Sequence, residues 1–136
     1  MTGLLGLCLA SALAAEPVSV WHAYRGEEAA ALEAAAARFS AEQGIAVETT
    51  AVPYGAFDTK VETAIPRGNG PDLLVAAHGS LGKWVGLGLL EGVKGPLSGQ
   101  PAVAMEAVQL DGVRYGWPLA FKTLLLLYNP DLVAEA

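Results

Sequence analysis

A chain of 136 residues can bury one small core and is too short for two complete lobes. Its formal net charge is -6, with 14 acidic against 8 basic side chains and no run of Lys or Arg. Such a surface repels phosphate backbones and excludes nucleic acid as the expected partner.

The first fourteen residues, Met1 to Ala14, carry no charge. They are too few to span a bilayer, which takes about 20 apolar residues, but they fit the apolar region of a secretory signal. The run closes on Ala12-Leu13-Ala14, a small-x-small pattern ahead of Ala15-Glu16. No Lys or Arg precedes it, so the alternative is a buried N-terminal helix. The expectation is a signal over 1–14 and a mature protein in the periplasm or outside the cell. Cys8 is the one cysteine, which rules out an intrachain disulfide. Leu7 is not small, which disfavours a lipid anchor on Cys8. No later segment is long and apolar enough to span; Leu119 to Tyr128 is interrupted by Lys122 and bracketed by Pro118 and Pro130.

From Val18 the chain alternates strands and helices. Val18 to Ala23 has β-branched and aromatic residues in alternation and reads as a strand. A helix follows from about Glu27 to Glu42, with Leu32, Ala35, Ala36 and Phe39 on one face and Gly44 as its stop. Ile45 to Val52 is the second strand. Ala56 to Ile65 is a helix, broken by Pro66-Arg67-Gly68-Asn69-Gly70-Pro71-Asp72. Leu73 to Ala77 is a continuous apolar run, as in a strand buried on both faces. A short helix spans Leu81 to Leu87, another Ala102 to Val108, and Asp111-Gly112 turns a hairpin. Leu124 to Tyr128 reads as a strand, and Asn129-Pro130-Asp131 as the start of a helix.

This order predicts an α/β fold with an open, mostly parallel sheet. Ligands of such sheets sit beyond the carboxyl ends of the strands. Three loops leave predicted strands at that edge: Tyr24-Arg25-Gly26-Glu27, Pro53-Tyr54-Gly55 and His78-Gly79-Ser80. Lys122 interrupts an apolar run, and a buried lysine is costly unless an oxygen pairs with it. His22, His78 and Asp72 lack the spacing of a metal site or a nucleophile elbow, and no Gly-x-Gly-x-x-Gly opens a helix. Asp72 is expected to brace the turn after Pro71, and His22 to be structural. No enzyme activity, metal or cofactor is expected. Trp84, Tyr115 and Trp117 suit either core packing or a sugar face, with the core favoured for Trp84.

Several segments occur together in order: Ile45-Ala46-Val47-Glu48 after the Ala-rich helix, Gly68-Asn69-Gly70-Pro71-Asp72-Leu73-Leu74, Gly88-Leu89-Leu90-Glu91, Gly116-Trp117-Pro118-Leu119-Ala120, and Leu126-Leu127-Tyr128-Asn129-Pro130-Asp131-Leu132. From Val18 to its end the chain thereby resembles the extracellular solute-binding proteins typified by maltose-binding protein. The resemblance implies the first lobe of a two-lobe periplasmic-binding-protein-like fold, truncated: 15–119 an incomplete first lobe, 120–136 the hinge crossing and the start of the second. It implies closure on a small polar solute, a sugar or oligosaccharide, and docking on the membrane permease of an ABC-type uptake transporter. Tyr24, Arg25, Glu27, Tyr54, His78, Gly79, Ser80 and Lys122 are the implied ligand contacts. Where the family's type member grips its sugar with Trp and an Asp-Arg pair, this chain has Ala76, Gly79 and Ser80, with His78 retained. Arg25 and Glu27 stand where a carboxylate and a lysine are used, and Lys122 where a glutamate is. The alternatives are the same lobe fused to a permease or signalling segment, and a small α/β enzyme domain.

Overall fold

Strand β1 (Val18–His22) lies between two parallel neighbours, β2 (Val47–Ala51) and β3 (Leu73–Val75). The computed structural model describes residues 16–96, 99–122, 126–130 and 133; the expected signal over 1–14, with Cys8, lies outside them. The chain divides into two compact units, one ending at Ala77 and the other beginning at His78.

In the first unit, β1 is followed by α1 (Gly26–Gln43), β2, α2 (Tyr54–Ala64), a single 3-10 turn over Ile65–Arg67, and β3. Because the chain moves from β1 to β2 in one direction and from β2 back past β1 to β3 in the other, right-handed crossovers put α1 and α2 on opposite faces of the sheet. Val20 and His22 are buried on one face of β1, and Trp21 takes the other, where the Lys60 ammonium of α2 sits 4.1 Å from its ring centroid. Phe57 and Val61, one turn apart on α2, complete the buried set with Val52.

Alanine gives α1 its helical propensity, and Glu27 and Glu28 favour the positive end of its dipole. Gly44 ends it in the left-handed region, φ 68°, donating its N–H to Ser40 O at 3.0 Å. Ala29, Leu32, Ala35 and Ala36 are half-buried, but Phe39, expected beside them, is exposed. Ser40 instead ties this end to β2: its hydroxyl donates to Ala36 O at 2.9 Å and accepts the Val47 N–H at 3.1 Å.

Helix α2 starts two residues before the expected Ala56. It ends at Ala64, one residue before the expected Ile65, and passes into the 3-10 turn, whose first positions take Pro66 because no N–H is needed there. Gly68, φ 73°, stops the turn. β3 is shorter than the expected 73–77 and is not buried on both faces: Leu73 is 49% exposed. Among the described residues β3 is hydrogen-bonded along one edge only, to β1, so half of its surroundings are open.

The second unit holds a 3-10 turn over His78–Ser80, α3 (Leu81–Gly86), α4 (Ala102–Glu106) and an antiparallel hairpin of β4 (Gln109–Leu110) and β5 (Val113–Arg114). Asp111 and Gly112 both have positive φ, 50° and 76°, as a two-residue turn of this hand requires. Trp84 and Ala104 are its buried side chains. Beyond the hairpin, Tyr115 N–H donates to Val108 O at 2.9 Å, and Val93 N–H to Arg114 O at 2.7 Å. Of the strand expected over 124–128, Leu124 and Leu125 lie outside the described residues, and Leu126 to Tyr128 are exposed and irregular rather than a strand. A strand needs a ladder, and nothing among the described residues pairs with Leu126 to Tyr128. The helix expected after Asn129 begins as read, with Val133 N–H donating to Asn129 O at 3.2 Å.

Candidate functional site

Parallel pairing in register carries β1 and β2 to one carboxyl edge, and the segments that follow them hold four of the expected contacts. Tyr24 and Arg25 come directly after β1. Tyr24 is half-buried, its ring 6.2 Å from that of His22 and tilted by 44°. Arg25 is exposed and occupies the N-cap position of α1 with extended backbone, φ -136° and ψ 160°, and no side-chain cap; its side chain is therefore not spent on the helix end. Glu27, in the first turn of α1, is exposed. Tyr54 opens α2 directly after Pro53 and is 72% exposed. The first unit thus brings an aromatic ring, a guanidinium, a carboxylate and a second phenol to one edge of one sheet.

His22, the last residue of β1, is 1% exposed, and its Nδ1 has no hydrogen-bond partner among the described residues. The structural role expected for it agrees with that burial. Asp72 also braces, but its partner is β1 rather than the turn that contains it. Its carboxylate accepts from the Ser19 N–H and hydroxyl, and the backbone hydrogen bond, then the hydroxyl, holds the Asp72 carboxyl below the ordinary carboxylate value. A partner 53 residues distant leaves no signal in the sequence.

The remaining expected contacts belong to the second unit. His78 and Gly79 are exposed in the 3-10 turn, and Ser80, half-buried, is the N-cap residue of α3 without a side-chain cap bond. Lys122 is exposed, so the cost of burying an ammonium does not arise for it in this structure. Of the aromatic residues, Trp84 is core, as favoured, Tyr115 is half-buried, and Trp117 leaves 45% of its surface in solvent. Among the described residues no group of His, Cys, Asp and Glu is arranged to hold a metal ion, and no helix is long and apolar enough to cross a membrane.

The sheet edge and the order of elements have counterparts among known proteins. The maltotriose-binding protein of Pyrococcus abyssi is 34% identical over 83 residues, 57% of this chain and 18% of its own. The galactooligosaccharide-binding protein of Bacillus subtilis is 30% identical over 112 residues, 80% of this chain and 27% of its own. In three dimensions, the Thermus thermophilus maltotriose-binding protein with maltotriose bound superposes with a TM-score of 0.68 at 28% identity, over 73% of this chain and 28% of that one. The chain therefore spans less than a third of each of these relatives. The sequence pattern of the family described as bacterial extracellular solute-binding protein matches residues 23–136. With that match over most of its length and the parallel sheet of the same architecture, the chain belongs to the bacterial extracellular solute-binding proteins.

Proposed function

We propose that the protein binds an oligosaccharide and hands it to the permease of an ABC-type uptake transporter, without chemical turnover. The observation that carries this reading is the likeness, in sequence and in the parallel sheet, to proteins named for binding maltotriose and galactooligosaccharides. The chemistry of the sheet edge is compatible with it. Sugar hydroxyls donate and accept, and a guanidinium beside a carboxylate and two phenols meets both needs. The proposed contacts are Tyr24, Arg25, Glu27 and Tyr54 in the first unit, and His78, Gly79, Ser80 and Lys122 in the second. Residues 1–14 serve as the export signal, 15–119 belong to a first lobe, and 120–136 to a hinge crossing and the start of a second. The protein then works in the periplasm or outside the cell. Neither a cofactor nor a metal enters this reading.

Calorimetric titration of the protein expressed from its native gene tests it, against maltotriose, a galactooligosaccharide, an amino acid and a dipeptide. Saturable binding of an oligosaccharide, recovered unchanged by chromatography, is the expected result. Binding only of a non-sugar solute would overturn the substrate class, and hydrolysis or transfer of the sugar would overturn the absence of turnover.

A further inference from the structure

Trp117 is half in solvent yet firmly held. Arg114, at the end of β5, donates from Nη2 to Gly95 O at 2.8 Å, and its guanidinium carbon stands 5.6 Å from the Trp117 ring centroid. The Arg114 carbonyl is itself engaged by the Val93 N–H at 2.7 Å, so the arginine is fixed at its backbone and at its far end. Its Nε is buried without a hydrogen-bond acceptor among the described residues, and the electron-rich indole face nearby is a weaker substitute. Gly95, φ 130°, runs along the rim of the ring: a Cβ built there would lie 4.0 Å from Cζ2 of Trp117. Pro118 restricts the backbone on the other side.

A large aromatic ring that is fixed but uncovered has already lost the freedom that binding would otherwise remove. The chemistry around it defines what covers it. An indole face takes up the C–H face of a pyranose, while a guanidinium alongside supplies donors at the height of the ring hydroxyls. An apolar side chain on the same surface would strip water from the guanidinium and return no acceptor. We propose that Trp117, oriented by Arg114, is a stacking platform for one sugar ring of the bound solute. This rests on the oligosaccharide reading above and adds to it a residue outside the eight contacts given there.

The test uses the protein expressed from its native gene with 5-fluorotryptophan incorporated, titrated with maltotriose and with a galactooligosaccharide. The chain has three tryptophans, and Trp117→Phe identifies which fluorine resonance belongs to Trp117. That resonance should move saturably with the sugar. Trp117→Ala should weaken binding by roughly tenfold and Trp117→Phe by no more than about threefold, as for an aromatic contact at a binding surface. Arg114→Gln should fall between them. Circular dichroism melts show whether each variant is folded; if Trp117→Ala is not, the Phe variant and the fluorine shift decide. Wild-type affinity in Trp117→Ala, or a Trp117 resonance that stays still while sugar binds, overturns the platform and leaves the oligosaccharide reading intact. Absence of binding to any sugar in the wild-type protein overturns both.

Discussion

Asp72 and Ser19 hold each other at both backbone and side chain: Oδ2 of Asp72 accepts the Ser19 N–H and hydroxyl, each at 2.8 Å, and the Asp72 N–H donates to the Ser19 carbonyl at 3.0 Å. The Ser19 hydroxyl also accepts from the Asp72 N–H at 3.0 Å. The clasp sits one residue before the β1–β3 ladder begins at Val20 and Leu73, and it sets that register.

Since the folded-state carboxyl is held below its ordinary value, the clasp contributes fully above the unfolded value, near pH 4, and is lost as pH falls through the folded one. Thermal melts between pH 7 and pH 2 should show an acid-side fall in Tm that is shallower in Asp72→Asn. At neutral pH Asp72→Ala should melt lower than Asp72→Asn, whose amide oxygen still accepts. Identical pH profiles for wild type and Asp72→Asn would show that the acid sensitivity lies elsewhere.

Gly70 should resist substitution for a reason of space. A Cβ there would lie 2.5 Å from Ile65 Cγ1 and 3.1 Å from the Ile65 Cα, and the second contact is with backbone that cannot rotate away. Gly70→Ala is expected to cost about 1–3 kcal/mol, the range for overpacking a fitted site. Gly55→Ala, where nothing lies within 4 Å, serves as the control. Equal denaturation midpoints for the two variants would contradict the steric account.

Lys122 is exposed and can reach a solute oxygen without first being desolvated. In the native-gene protein Lys122→Ala should weaken oligosaccharide binding by roughly tenfold, because a hydrogen bond from a charged donor is worth roughly 1.5–3 kcal/mol. Unchanged affinity removes Lys122 from the set of contacts.

The 136-residue chain by itself should self-associate. Leu126 and Leu127 are 92% and 86% exposed, and Leu119, Phe121 and Tyr128 are each about two-thirds exposed. Each large side chain withdrawn from water is worth roughly 1.5–3 kcal/mol. Size-exclusion chromatography with light scattering should give masses above the monomer that rise with concentration, and Leu126→Lys with Leu127→Lys should reduce them. A monodisperse monomer would refute this.

Export is tested at the N-terminus. Protein recovered from outside the cytoplasm should begin at or near Ala15, as Ala12-Leu13-Ala14 predicts. Recovery with Met1 intact would remove the signal.

The strand and helix order of the first unit was legible because each element carries its own period and its own stop, as Gly44 and Gly68 show. The hairpin was legible because Asp-Gly satisfies one turn type. What periodicity could not reveal was extent. Phe39 has the right spacing for the inner face, yet is exposed; Leu73 has the composition of a central strand, yet stands at an edge among the described residues. Burial depends on what neighbours an element has, and a one-dimensional pattern holds no record of that. Tyr24, Arg25, Glu27 and Tyr54 could be placed at one edge from topology alone, since parallel strands must end together. The brace between Arg114 and Trp117 could not, because it depends on Gly95 approaching from 19 residues upstream.

The 2-1-3 order has a consequence for how the chain is made. The central strand is synthesised first and acquires its second neighbour only when Leu73 to Val75 exist, more than fifty residues later. Closing so long a segment carries an entropic cost before any ladder bond offsets it, so the sheet forms late and the early chain stays extensible. Under the export proposed above, an unformed first strand is what a narrow translocation channel can accept.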